Sequence, residues 1–83
     1  MFFLKTNAEK ELDSIIQSLE MNMSNNYKDN AQANLRELDA TLLRMKSEGK
    51  LKGKKLAYYE GILADYQTKM KGYSHREQTP YWT

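Results

Sequence analysis

The sequence predicts an all-α protein, in which an antiparallel helical hairpin and an N-terminal helix packed on it form a small three-helix bundle. Apolar residues at helical spacing on both sides of a short, glycine-containing turn predict the hairpin. A capping motif near the start of the chain, followed by a further apolar face, predicts the N-terminal helix. We expect helices over about 7–24, 27–48 and 53–72 in a helical domain of residues 1–73, followed by a C-terminal tail of residues 74–83.

The N-terminal helix begins where Thr6 and Glu9 match the capping-box pattern. Its broad apolar face, which suits a helix lying in a groove between two others, consists of Ala8, Leu12, Ile15, Ile16, Leu19 and Met23. Residues 24–26, Ser-Asn-Asn, interrupt the pattern, and any of the three is suited to cap a new helix at about Tyr27. The alternative is one long, kinked helix over 8–48, whose N-terminal apolar face would need a second chain.

Two apolar stripes, with residues spaced alternately three and four apart, predict the hairpin. They consist of Ala31, Leu35, Leu38, Leu42 and Met45 before the turn, and of Leu56, Tyr59, Leu63, Tyr66, Met70 and Tyr73 after it. Charged residues such as Arg36, Asp39 and Asp65 fall off the stripes. Because the connection is short, the two helices are expected to be antiparallel neighbours, with one stripe facing the other.

The turn between these helices has its own signals. Gly49 suits the left-handed position that follows a helix C-terminus, since glycine has no Cβ to clash there. Leu51 and Leu56 have the five-residue spacing of a hydrophobic staple, which makes Lys52 the N-cap of the third helix. Lysine is a poor cap, and the cations that follow it oppose the helix dipole.

Composition and charge limit the possible functions. The chain has 83 residues, a formal net charge of +2 and no cysteine, so it offers no disulfide, no thiolate nucleophile and no cysteine-based zinc site. The longest apolar run, residues 1–4, is too short for a secretory or membrane-spanning segment. The expectation from these features is a cytoplasmic protein without a membrane span.

We expect no catalytic residue, metal site or cofactor, because no nucleophile, base or set of metal ligands can be assembled. His75 is the single histidine, and it has only Glu77 nearby. Glu9, Glu11 and Asp13 lie close in sequence, and we interpret them as complementing the dipole of the first helix.

The candidate binding residues lie in two places. The lysine-rich turn, residues 46–55, carries Lys46, Lys50, Lys52, Lys54 and Lys55, opposed by Glu48 alone. Together with exposed helix N–H groups, and with Tyr58 as a stacking ring, this turn is a candidate for weak binding of nucleic acid or an anionic surface. Tyr81 and Trp82 in the tail are of the types that anchor protein interfaces. The favoured function is a small, non-catalytic helical interaction or structural module that binds another protein or itself.

Overall fold

Residues 5–75 are described by a computed structural model, the last four of them by their backbone, and three α-helices follow one another along them. The helices are α1 (Asn7–Ser24), α2 (Lys28–Ser47) and α3 (Gly53–His75). The predicted all-α, three-helix bundle is confirmed. The alternative of one helix over 8–48 is wrong, because the chain leaves the helical conformation between α1 and α2. None of the three helices is long and apolar enough to cross a membrane.

The N-terminus of α1 has the capping box that the sequence predicts. The Thr6 hydroxyl accepts the Glu9 backbone N–H at 3.2 Å, and the Glu9 carboxylate accepts the Thr6 backbone N–H at 2.9 Å. Two backbone donors that the helix itself cannot satisfy are thereby bonded.

An asparagine in the left-handed conformation separates α1 from α2. Asn26 has φ +65° and donates its N–H to the Met23 carbonyl at 3.1 Å, while Tyr27 donates to the Asn22 carbonyl at 2.8 Å. These two bonds form a Schellman motif, and asparagine adopts its left-handed position more readily than other non-glycine residues. The predicted capping of α2 by residues 24–26 is therefore wrong. Asn26 serves to end α1, and Tyr27 occupies the N-cap of α2 without a side-chain capping bond.

The turn between α2 and α3 repeats this motif with glycine. Gly49 has φ +74° and donates to the Lys46 carbonyl at 3.2 Å, while Lys50 donates to the Met45 carbonyl at 2.9 Å. The predicted left-handed role of Gly49 is confirmed. Gly53, where α3 begins, also has a positive φ, +68°, which an L-residue with a side chain would adopt only with strain.

Both predicted apolar stripes contribute to the core. The buried cluster consists of Leu12, Ile15, Leu19, Ala31, Leu38, Leu42, Met45, Leu51, Tyr59 and Met70. On α3 the burial is shallower, because Leu56, Leu63 and Tyr66 are only half-buried. The charged residues off the stripes, including Arg36, Asp39 and Asp65, are exposed. The predicted stripe residue Tyr73 lies where side chains are not described.

The central helix is α2, which packs against both α1 and α3, most closely against α1. The backbones of α1 and α3 approach each other less than either approaches α2. α1 therefore lies closer to α2 than to α3, although side-chain contacts join it to both helices. The apolar face of α1 is satisfied mainly by α2, and the α1–α3 side of the bundle stays more open.

The third helix continues past its predicted end at Gly72 and reaches His75. A glycine inside a helix costs only about 1 kcal/mol relative to alanine, and the next strong helix breaker in the sequence is Pro80. The first residues of the predicted tail, up to His75, are thus helical, and residues 76–83 lie outside the described part.

Candidate interaction groove between α1 and α3

A row of side-chain contacts with one common sequence separation joins α1 to α3. The Tyr59 hydroxyl donates to the Asp13 carboxylate at 2.8 Å, Lys55 lies 3.4 Å from a Glu9 carboxylate oxygen, and the Tyr66 hydroxyl donates to the Glu20 carboxylate. The partners in each pair are 46 residues apart. A constant offset means that α1 and α3 run parallel in fixed register, with carboxylates on α1 facing donors on α3.

The central contact of this row is the best enclosed. Tyr59 is 3% exposed, and Asp13 also accepts a hydrogen bond from the Lys5 ammonium. Partial burial favours the neutral form of Asp13, but the hydrogen bonds from Lys5 and Tyr59 and the Lys5 charge outweigh it, so its pKa lies below the ordinary value. Burial and the bond to Asp13 hold the pKa of Tyr59 well above the ordinary value. At neutral pH the pair is therefore a carboxylate and a neutral hydroxyl donor.

The first contact of the row, between Glu9 and Lys55, joins the capping box of α1 to the start of α3. Glu9 is 7% exposed, and hydrogen bonds from the Thr6 backbone and from Lys55 lower its pKa although burial opposes this. Glu9 thus acts in two ways, as a partner of its own helix start and as an anion facing the N-terminus of α3. The interpretation of Glu9, Glu11 and Asp13 as dipole complements alone is incomplete, since each of them also bonds a residue outside α1.

The last contact of the row, between Tyr66 and Glu20, is more open to solvent. Burial, together with the hydrogen bond to Glu20, raises the pKa of Tyr66 to about 12. The Lys69 ammonium lies 5.1 Å from the centre of the Tyr66 ring, within cation–π range. The Tyr66 side chain thus contacts an acid on α1 through its hydroxyl and a cation on its own helix through its ring.

Between α1 and α3, alongside this row of contacts, lies a groove of about 370 Å³. We call it the α1/α3 groove. It is lined by Asp13, Ile16, Gln17 and Glu20 of α1 and by Tyr58, Ile62, Asp65, Tyr66 and Lys69 of α3. Ile16 and Ile62 are half-buried, whereas Tyr58 is 64% exposed and packs edge-on against the Tyr59 ring at 5.1 Å. The groove thus presents aliphatic and aromatic surface to solvent.

The charges around the α1/α3 groove are mostly negative. Its lining contains the carboxylates of Asp13, Glu20 and Asp65 and one ammonium, that of Lys69. Within the described residues, Asp65 makes no hydrogen bond or ion pair. The chain as a whole has a formal net charge of +2, so the groove is an acidic surface on a slightly basic protein.

The predicted lysine site is largely neutralised by neighbouring acids. Lys46 lies 3.8 Å from Glu60, Lys50 lies 3.3 Å from Glu48, and Lys55 pairs with Glu9 as described above. The two remaining lysines, Lys52 and Lys54, are exposed and have no ion pair within residues 5–71. Three of the five lysines of residues 46–55 thus lie within 4 Å of a carboxylate.

Of the other predicted site residues, the structure describes Tyr58. Tyr58 lines the α1/α3 groove, whose lining includes Lys69 but none of the lysines of residues 46–55. Tyr81 and Trp82 lie outside the described residues. The groove itself was not predicted, although a signal exists, because Tyr58, Ile62, Asp65 and Lys69 step by four, three and four residues along α3. This second stripe mixes apolar, aromatic and charged residues and so resembles an ordinary solvated helix face.

Within the part of the chain that the structure describes, no three histidine or carboxylate side chains come close enough to hold a metal ion. The groove contains carboxylates and tyrosine hydroxyls, but none is paired with a nucleophile. The groove presents aromatic rings, aliphatic side chains and charges. Comparisons of the chain with protein-family models, with curated proteins and with solved structures find no match in any of the three.

Proposed function

We propose that the protein is a non-catalytic interaction module that binds another protein through the α1/α3 groove. The observation that carries this proposal is the exposed tyrosine, Tyr58, beside the half-buried Ile16 and Ile62 in a groove between two parallel helices. Concave surfaces of this kind take up amphipathic helices through apolar anchor residues. Tyrosine is also among the residue types that contribute most to protein interfaces, since its ring buries a large area at little entropic cost.

The fixed register of α1 and α3 supports the same function. Because Asp13 and Glu20 bond Tyr59 and Tyr66, the two walls of the groove are tied together by their side chains. A binding surface that is already in place loses less entropy when a partner binds.

The alternative function is a weak nucleic-acid or anionic-surface binder that uses the lysine-rich turn. The exposed Lys52 and Lys54 support it, whereas the pairing of Lys46, Lys50 and Lys55 with acids weakens it. Titration with duplex DNA and with anionic vesicles at about 50 mM salt separates the two functions, since contacts to phosphate are strongest at low salt. Binding that Lys52→Ala and Lys54→Ala abolish would favour the alternative.

Site-specific photo-crosslinking in the native cell tests the main proposal. We would place p-benzoylphenylalanine at Tyr58 in one variant and at Leu43 in a matched control. Leu43 is 66% exposed and Tyr58 is 64% exposed, but Leu43 lies on α2 and does not line the α1/α3 groove. We expect discrete adducts with a partner chain at position 58 and none at position 43.

Two results would contradict the proposal. Equal adducts at both positions would mean that exposure, and not the groove, determines the reaction. A crosslink from position 58 to residues 76–83 of the same molecule would mean that the chain fills the groove itself.

A further inference from the structure

The α1/α3 groove has the length of a short helix. On α3 its lining runs from Tyr58 to Lys69, which at 1.5 Å per residue is about 16 Å, or three helical turns. On α1 it runs from Asp13 to Glu20, about two turns. An occupant of about three turns would reach from one end of the groove to the other.

The arrangement of the helices also favours a helical occupant. α2 packs against both α1 and α3, and the row of Asp13–Tyr59 and Glu20–Tyr66 contacts joins those two helices to each other. A further helix seated in the groove would lie against the same two helices and contact Ile16 and Ile62 through its apolar face. This contact would bury the aliphatic surface that the three-helix bundle leaves half-exposed.

The charges of the groove select among helical partners. Asp13 is already bonded by Lys5 and Tyr59, and Glu20 by Tyr66, but Asp65 has neither a hydrogen bond nor an ion pair in the described part of the chain. An acidic partner would bring its carboxylates close to Glu20 and Asp65, with Lys69 and the Lys5 partner of Asp13 as the nearby cations. A basic partner would supply the cation that Asp65 lacks and would share Glu20 with Tyr66.

From the length, the helical walls and the acidic lining, we infer that the α1/α3 groove binds a basic amphipathic helix of a partner protein, about three turns long. The inference rests on the proposed function and names its partner class. The apolar face of that helix contacts Ile16, Ile62 and the Tyr58 ring. Lysine or arginine side chains on its flank meet Asp65 and Glu20.

Two designed peptides test the partner chemistry directly. Both are acetylated and amidated helices of about 14 residues with the same leucine stripe, one carrying lysine and the other glutamate at every flanking position. Fluorescence anisotropy of the labelled peptides gives their affinities at about 50 mM and about 300 mM salt. We expect the lysine peptide to bind at least about tenfold more tightly than the glutamate peptide at low salt, and the difference to shrink at high salt.

Matched variants locate the binding. Tyr58→Ala removes an exposed ring of the groove, and Leu43→Ala removes an equally exposed side chain elsewhere. Asp65→Asn removes a groove charge, and Asp39→Asn removes an exposed charge on α2. We expect Tyr58→Ala to weaken the binding of the lysine peptide about tenfold, and Asp65→Asn to weaken it about threefold. The two control variants should bind the peptide as the wild type does. All four positions are exposed, so each variant is expected to remain folded, and circular dichroism of each variant checks this.

Several outcomes would overturn the inference. Equal affinity for the two peptides would mean that the groove does not prefer a basic helix. Equal losses of affinity for Asp65→Asn and Asp39→Asn would mean that the preference comes from the net charge of the protein and not from the groove. Crosslinking of position 58 to a second copy of this chain would replace the partner helix by self-association. If neither peptide binds while crosslinking at position 58 captures a partner, the groove binds a protein of different chemistry, and the proposed function stands without this inference. If both fail, the proposed function falls as well.

Discussion

The two kinds of helix contact in this bundle differ in chemistry. α2 meets its neighbours through buried apolar side chains, among them Leu38, which is fully buried. α1 and α3 meet through carboxylates, hydroxyls and a lysine, and a groove of about 370 Å³ lies alongside. The free energy of folding is thus expected to come mainly from the α2 contacts. The α1–α3 contact fixes the register of two helices and leaves Ile16 and Ile62 only half-buried.

The largest difference is expected between a core residue and a groove residue of similar size. Leu38→Ala removes a side chain with no exposure and should lower the free energy of unfolding by about 2–5 kcal/mol. Ile62→Ala, at a half-buried position in the groove, should lower the free energy of unfolding by about 1 kcal/mol. The loss is smaller because folding removes less of the Ile62 side chain from water than of the Leu38 side chain. Urea denaturation followed by circular dichroism measures both values.

Arg36→Ala is the control for this pair. Arg36 is exposed on α2, and its truncation should cost less than about 0.5 kcal/mol. If Leu38→Ala and Ile62→Ala cost the same, the separation between a folding interface and a free groove would be lost.

A second prediction concerns the hydrogen bond between Tyr59 and Asp13, which is better buried than the bond between Tyr66 and Glu20. Tyr59→Phe keeps the buried ring but removes the hydroxyl that donates to Asp13 at 2.8 Å. Hydrogen bonds to charged groups contribute about 1.5–3 kcal/mol, and partial hydration of Asp13 in the variant should reduce the loss to about 1–2 kcal/mol. Tyr66→Phe, whose bond to Glu20 is exposed, should cost less than about 1 kcal/mol. Equal losses in urea denaturation would mean that burial does not strengthen the Tyr59 contact.

The sequence predicts the α2 side of this comparison well. Leu38, Leu42 and Met45 belong to a regular repeat of apolar residues, and each of them is buried. Gly49 and the Thr6 capping box are also readable, because each acts through backbone groups a few residues away. Local rules thus suffice for three helices and two stripes.

The α1 side is harder to predict, because its contacts depend on tertiary register. Asp13 and Tyr59 are 46 residues apart, and nothing local in either segment indicates that they bond. Asn26 could have capped α2 or ended α1, and both roles suit its side chain. The second stripe of α3 contains Tyr58 and Ile62 beside two charged residues, so its apolar character becomes visible only when α1 lies next to it.

Acid titration should separate the two kinds of contact further. The pKa of Asp13 is lowered in the folded protein, so the unfolded chain takes up the proton first as the pH falls. The stability that Asp13 contributes is fully present above its unfolded pKa, about 4, and is lost as the pH falls through the folded value. The free energy of unfolding should therefore fall less steeply below about pH 4 for Asp13→Asn than for the wild type. Asp39→Asn, at an exposed position on α2, is the control and should follow the wild type.

The smallest effect distinguishes two adjacent lysines at the start of α3. Lys54 is exposed and has no ion pair in the described region, whereas Lys55 pairs with Glu9, which is 7% exposed. A cation in the first turn opposes the helix dipole, so Lys54→Glu should raise the free energy of unfolding by about 0.5–1 kcal/mol. Lys55→Glu gains the same dipole interaction but sets a second carboxylate against Glu9, so it should be less stable than the wild type. Urea midpoints at low and high salt measure both changes, and both should shrink as salt screens them. If the two variants gained equally, the Glu9–Lys55 pair would not stabilise the α1–α3 contact, whose register would then depend on Asp13–Tyr59 and Glu20–Tyr66.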